Sequence, residues 1–546
     1  MTNSTASSVG RVLTLNPPFS ADGGVAFLAR LPIELHPLTD TDATPRSSPL
    51  VLLENGRPLP LPHATHNDIR AFGGGRYSFW KDALWFSASD GSDPNINGRR
   101  YEIQVPQLQD TVVDGRETTT GDGTPGAPSA PAASEAVTWV APDRPIGVAI
   151  IGTGQRGFSF VRQLAALDGV TIRWLVDESL ARMQELGQKF GLVHARTGFH
   201  WAEALDDPAV EAVFIAVPDY LHTQVAVEAF RARKRVYLEK PVATTMADAR
   251  AVIASWRMSK LPLQLGYVLR HTPFYAAIHE MVRAGTLGRI RTVSLREQLG
   301  VEHGASFMRR WHRLPSKSGG LIVHKGCHDL DLACWLLGTV PRSAASFGGR
   351  DTFRRPAPAA FCSACPEQRT CAFVDTGAYE YRSAAEQVDP AAFGLNRCVF
   401  SEEDGIVDNQ TVAFELANGV RGTFQLNVQG PSGSRREILI IGDDGRLSGS
   451  FEEGRFTIEF NDGRETVEWS ADGIDQSGHG DGDRRSIIAF LDACRGRRTL
   501  ALTVADALAG LALALAAEES RLNGYVARID PSVFSDPGAI AGVANP

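Results

Sequence analysis

Cysteine is scarce in this 546-residue chain, seven in all, as are methionine, six, and aromatic residues, 8%. So few cysteines over such a length exclude the disulfide scaffold that small secreted domains use in place of a core. Long apolar runs are missing too. The richest late stretch, LAGLALALAA, is too short to cross a bilayer and repeats with a helical period. The amino terminus, MTNSTASSVGRVL, has no apolar signal core. A cytoplasmic protein with reduced thiols and no membrane partner is therefore expected. Positive charge is in deficit, with 55 Lys plus Arg against 63 Asp plus Glu and a net charge of -8. That balance excludes nucleic acid as a general partner. What is present, 43% hydrophobic and 22% charged residues, is globular in composition and long enough for about three domains.

Residues 1–106 read as an all-β accessory domain resembling a small sandwich. RVLTL, GVAFLARLPIEL, LVLLENGRPLPL, YSFWKDALWFSA and YEIQV are candidate strands, separated by Gly, Pro, Asn and Asp clusters. In SASDGSDPNINGRRY, Asp93, Asn95, Asn97 and Gly98 match half of an EF-hand loop. Pro94 interrupts it and Gln104 stands where a bidentate Glu is needed, so a polar turn is expected. The stretch is loosely similar to accessory domains of bacterial carbohydrate enzymes. Tyr77, Phe79, Trp80, Trp85 and Phe86 suit either a sheet core or a sugar-stacking face. Residues 107–143, with TTTGDGTPGAPSAPAASEA, read as a disordered linker.

Residues 144–268 carry the strongest signal. IGVAIIGTGQRG is an apolar strand that breaks on Gly152, Gly154 and Gly157. In this spacing the first glycine permits the turn, the second lets a pyrophosphate approach the backbone, and the third lets helix and strand pack closely. The helix start, Gln155 and Arg156, presents free N–H groups and a positive dipole end to phosphate. The next strand, TIRWLV, ends at Asp177, where a carboxylate meets the adenosine ribose. With an acid there and no Arg next to it, NAD is favoured over NADP. A strand–turn–helix without a ligand is the plain alternative. Further strands, EAVFIAVP, KRVYLEKP and LPLQLGYV, end at Pro218, Lys240 and Tyr267, with His222 opening a helix. In a doubly wound sheet these ends face the cofactor.

IIGTGQRG, AVPDYLH, YLEKPVATT and GGLIVHKGCHDLD together resemble the glucose–fructose oxidoreductase / inositol dehydrogenase (Gfo/Idh/MocA) family. The resemblance implies a Rossmann domain followed, over residues 269–546, by an α+β domain on a large, mostly antiparallel sheet. It also implies hydride transfer with NAD(P) at a hydroxyl carbon of a sugar, cyclitol or nucleotide sugar, and a homo-oligomer, dimer or tetramer. By the same resemblance Lys240 is catalytic, oriented by Glu239, with a cis bond to Pro241. His328 is the general base, since imidazole titrates near neutrality. His324 stands where many relatives have Asp, which bears on proton relay. His324 and His328 lie four apart, a spacing open to a metal on a regular helix. Redox-assisted epimerisation or elimination with NAD recycled, and a silent NAD- or sugar-binding protein, are the alternatives.

Three further expectations concern the second domain. Arg309, Arg310, Arg313 and Lys317 crowd the segment before the His328 motif. Arg309 and Arg310, with Arg270 and Lys325, are candidate contacts for an anionic carbohydrate; a solvated charged loop is the alternative. Cys362, Cys365, Cys371 and Cys398 could close a structural zinc site or remain free thiols. Asn-Gly and Asp-Gly turns after 405 mark hairpins, followed by helices at 484–495 and 503–523.

Overall fold

The structure, a computed structural model, describes residues 12–40, 48, 50–59, 62, 64, 66, 69–70, 73–105, 144–377, 382–391, 394–401, 405–430, 433–471 and 479–535. The expected linker at 107–143 lies outside the described residues. The chain divides into two units, 1–125 and 126–546.

The first unit holds two antiparallel four-stranded sheets. One runs Val12–Leu15, Tyr101–Gln104, Val51–Glu54, Arg57–Pro58 and the other Ser20–Ala21, Phe27–Arg30, Ala83–Phe86, Tyr77–Trp80. Leu52, Tyr101 and Ile103 of the first share a core with Tyr77, Phe79, Leu84 and Phe86 of the second. Asn55 and Gly56 take φ of 51° and 75°, the left-handed pair a two-residue hairpin needs. The strand expected over GVAFLARLPIEL stops at Arg30. Pro32 has no N–H for a ladder, and Ile33–Leu38 winds into a 3-10 helix instead. In the Asp-rich loop, Asp93 accepts the N–H of Asn95 at 2.8 Å and Asn97 donates to the Tyr101 hydroxyl at 2.9 Å. The loop satisfies itself, as a polar turn should.

In the second unit a six-stranded parallel sheet runs Arg196–Gly198, Val170–Val176, Ile146–Ile151, Ala212–Ile215, Arg235–Leu238, Leu263–Leu265. Numbered along the chain the order is 3-2-1-4-5-6, the doubly wound pattern whose ligand crevice lies where the order reverses. Every residue of Ile146–Ile151 is buried, as expected of a central parallel strand covered on both faces.

The second lobe is built on a nine-stranded sheet in which only Ile290–Gly300 and Arg421–Gly430 pair in parallel. The hairpin patterns after 405 form Asn409–Leu416 with Arg421–Gly430, and Arg435–Gly442 with Gly445–Ser450 and Arg455–Phe460. Two helices, Cys327–Leu336 and Val504–Asn523, cross against each other there. Gly510 permits it: a Cβ at that position would stand 2.7 Å from the Asp331 Cα. A capping box between Thr503 and Asp506 starts the second of these helices.

Candidate active site

The glycine turn leaves room where a nucleotide would lie. Gly154 is the N-cap of the helix Gln155–Leu164, with no side chain capping it, and a Cβ built there meets nothing within 4 Å. Gly157 has no such freedom, since a Cβ would strike the Gly152 carbonyl oxygen. The Thr153 hydroxyl is buried without a hydrogen-bond partner. An open N-terminal turn, an orphaned hydroxyl and the adjoining acid fit a dinucleotide.

Asp177 directly follows the strand Val170–Val176. It accepts the N–H of Thr153 at 2.6 Å and of Ser179 at 3.0 Å. The expectation of no arginine at this acid needs correction. The helix Leu180–Lys189 turns Arg182 back so that its Nη1 lies 3.2 Å from Asp177 Oδ1. Arg156 is likewise engaged by protein, donating to Glu239 at 2.7 Å and to Asp483 at 2.7 Å. Gln155 is exposed at the start of the first helix.

Across the crevice the strand ends converge. Pro218 begins a 3-10 turn, Asp219–Leu221, that leads into the helix His222–Arg231. His222 does not face the groove. It is 1% exposed, with Nδ1 2.6 Å from the Pro241 carbonyl and Nε2 3.0 Å from that of Val217, and so ties two strand-end loops together. Glu239 bonds Arg156 and the backbone N–H of Lys240, at 3.2 Å, rather than the Lys240 ammonium. The Lys240–Pro241 peptide is cis. Lys240 Nζ crosses to the second lobe and donates to the His324 carbonyl at 2.8 Å.

That carbonyl belongs to an irregular turn. Ile322–Gly326 is a π-helical segment, and the regular helix begins only at Cys327. The wider turn breaks the four-residue register that would set His324 and His328 on one face for a metal. His324 turns to the cofactor lobe, with Nδ1 2.6 Å from Asp219 Oδ2. A carboxylate thus reaches His324 from AVPDYLH although the usual motif aspartate is replaced. Burial first, opposed by the charges of His222 and Lys240, brings Asp219 up to about 7. Burial and then Lys240 push His324 well below the ordinary histidine value.

His328 is 2% exposed and its Nδ1 has no hydrogen-bond partner. Burial, then the Lys240 ammonium, then His479 hold it well below the ordinary value, so it is neutral at pH 7. Tyr267, its hydroxyl buried and unpartnered, lies with its ring 6.4 Å from His328. His479, its ring centroid 5.4 Å from that of His328, contacts Asp483 at 3.3 Å. Asp219, His479 and Asp483 are site residues that the sequence reading missed. The H-x3-D spacing of GHGDGD, one helical turn apart, was the available signal for the last two.

Three proposed substrate cations are bound within the protein. Arg270 Nε meets Asp331 at 2.7 Å, and its Nη2 the Asp506 carbonyl at 2.9 Å. Arg309 is buried and donates to the Phe373 carbonyl. Lys325 lies 3.1 Å from Glu297, which also pairs with Arg436. The two ion pairs, of Arg270 and of Lys325, are deep in the lobe, where an unpaired charge would be costly, whereas Arg309 meets only a neutral carbonyl and its Nε is buried without a partner. Arg310 is half-buried, and its charge acts on both His312 and His324.

The four later cysteines line one small pocket, with Phe373, Val374, Val399 and Phe400. All are free thiols. Among the described residues no group of three or more His, Cys, Asp or Glu is arranged to hold a metal, so neither the zinc expectation nor a His324–His328 metal is supported. Burial first, and then the nearby thiols of Cys362, Cys365 and Cys371, push the Cys398 thiol up, while Cys362 and Cys365, each half-buried, bracket a 3-10 turn whose Ser363 and Ala364 are exposed.

Fold and crevice together define a Rossmann-fold, dinucleotide-binding class of protein. Residues 146–267 match the family model described as "Oxidoreductase family, NAD-binding Rossmann fold" and residues 279–528 that described as "Oxidoreductase family, C-terminal alpha/beta domain". The chain belongs to this Gfo/Idh/MocA family. It is 30% identical over 198 residues to inositol 2-dehydrogenase of Streptomyces avermitilis, covering 35% of this chain and 53% of the relative. It is 24% identical over 191 residues to myo-inositol 2-dehydrogenase of Thermotoga maritima, covering 35% and 54%. Across such curated relatives the chain spans 52% to 62% of their length. Levoglucosan dehydrogenase in complex with NADH and levoglucosan shares the fold at a TM-score of 0.56 and 18% identity, over 71% of this chain and 100% of that one. GenD2 from gentamicin A biosynthesis, in complex with NAD, does so at 0.54 and 20%, over 73% and 100%. Among the described residues no helix is long and apolar enough to cross a membrane.

Proposed function

We propose that this protein is an NAD-dependent oxidoreductase that transfers hydride at a hydroxyl carbon of a neutral sugar or cyclitol. The observation that carries the reading is the Lys240 ammonium, held 2.8 Å from the His324 carbonyl, within electrostatic reach of His328 and its unpartnered ring nitrogen. NAD, held between the open glycine turn and Asp177, would supply the hydride acceptor. Neutral His328 takes the hydroxyl proton. Lys240 stabilises the charge developing on the substrate oxygen. The Asp219–His324 pair fixes the carbonyl-bearing turn that aims Lys240. The Tyr267 hydroxyl is a ready partner for a ligand oxygen. A neutral substrate is favoured because Arg270 and Lys325 are already neutralised by Asp331 and Glu297. We take the protein to act as a homo-oligomer in the cytoplasm.

The test is NADH production from a panel of cyclitols and neutral sugars, with the matching uronic acids as controls. Turnover on the neutral members is expected. Lys240→Met should lower kcat/KM by about 10²–10³-fold while nucleotide affinity stays within about twofold. Deuterium exchange into substrate with no build-up of NADH would overturn the reading in favour of a redox-neutral epimerase. Retained turnover in Lys240→Met would remove the lysine from the chemistry.

A further inference from the structure

The chain leaves the large sheet after the strand Pro341–Gly349 and rejoins it at Asn409–Leu416. Part of the intervening segment lands on the cofactor-binding lobe. Glu386, in the short helix Ala384–Val388, has a side chain only 1% exposed. Its Oε2 accepts from Arg182 Nε at 3.3 Å and its Oε1 from Arg182 Nη2. The remaining nitrogen of that guanidinium, Nη1, faces Asp177 at 3.2 and 3.4 Å. Glu386 is itself anchored: Oε2 accepts the Ser383 N–H at 2.8 Å and the Ser383 hydroxyl at 2.9 Å. The neighbouring Ala384 N–H donates to Glu185 at 2.7 Å, on the same helix as Arg182. Burial pushes the Glu386 carboxyl up, and the bonds from Arg182 and Ser383 more than reverse that, so it stays ionised.

We propose that Glu386 is a cofactor-specificity residue: it holds Arg182 against Asp177, which keeps the guanidinium from turning to a 2′-phosphate and reserves the site for a dinucleotide with a free 2′-hydroxyl. The chemistry is that of a planar fork. A guanidinium grips carboxylate or phosphate through paired N–H groups, and here each N–H edge already meets a carboxylate. Arg182 is the arginine within reach of the ribose acid and would be the natural 2′-phosphate ligand if released. Its restraint comes from the second lobe, 204 residues along the chain. Cofactor choice is therefore shared between the acid at the strand end and a carboxylate supplied from another lobe. The proposal rests on the cofactor reading above.

The experiment titrates the full-length protein with NADH and with NADPH, following nicotinamide fluorescence, for wild type, Glu386→Gln and Glu386→Ala. The ratio of the NADPH to the NADH dissociation constant is expected to fall about tenfold in Glu386→Gln. Adding Arg182→Ala to Glu386→Gln should return the ratio to the wild-type value. Should Glu386→Ala fail to fold, the isosteric Glu386→Gln carries the comparison. If both nucleotides weaken equally and the ratio stays within about twofold, Glu386 only props its segment and the proposal falls. A wild-type protein that binds neither nucleotide would overturn the cofactor reading, and this proposal with it.

Discussion

At the scale of single residues, the site works through partners remote in sequence. His328 is kept neutral because burial and a neighbouring ammonium both oppose a second positive charge. Its basic form therefore persists to more acid pH than that of a free histidine. The acidic limb of the kcat/KM–pH profile should lie below 6.5, and His328→Asn should abolish it. The profile is to be measured also in Asp219→Asn, which removes the carboxyl that titrates near 7. The limb should remain below 6.5 there; a limb that moves with this substitution would assign the proton to the Asp219–His324 pair instead.

Residue types were legible in the sequence, but pairings were not. Arg270, Arg309 and Lys325 read as cations available to a ligand because a sequence displays charge without its partner. Asp331, the Phe373 carbonyl and Glu297 take them only after folding. The same holds for Asp219 on His324, 105 residues apart. Arg182 escaped notice beside Asp177 because only the first turn of the helix Leu180–Lys189 folds it back onto an acid five residues earlier.

At the scale of elements, regular patterns were readable and one irregular element was not. Continuous apolar runs marked the parallel strands, and Asn-Gly and Asp-Gly marked the hairpins. The π-turn at Ile322–Gly326 has no such mark: GGLIVHKGCHDLD reads as ordinary helix. The glycine turn also separates binding from folding. Gly154→Ala adds a methyl that touches no protein atom within 4 Å, so the thermal midpoint should be unchanged. That methyl projects into the nucleotide's path, and NADH affinity should fall about tenfold or more. Gly157→Ala instead drives a methyl into the Gly152 carbonyl and should cost about 1–3 kcal/mol of stability. Differential scanning calorimetry with nucleotide titration checks both. Equal behaviour of the two variants would mean that the turn is merely structural.

At the scale of the whole molecule, the two units, 1–125 and 126–546, have separate cores. Phe19 through Ile103 form one cluster, and the residues from Ile146 onward form the others. A fragment covering 126–546 should therefore fold alone and bind NADH with the affinity of the full chain. Calorimetry of the fragment beside the full-length protein checks this, and a fragment that unfolds or loses the nucleotide would show that the first unit completes the second.

The bond from Lys240 to the His324 carbonyl spans the two lobes of the larger unit. If the lobes part on a hinge to admit or discharge nucleotide, that bond is a bolt that must be drawn first. On the proposed reading, in which the Lys240 ammonium steadies the reacting oxygen, it would then also gate coenzyme exchange, so loosening it should hasten exchange as it slows chemistry. Speed in one step and patience in the other would be set by a single ammonium.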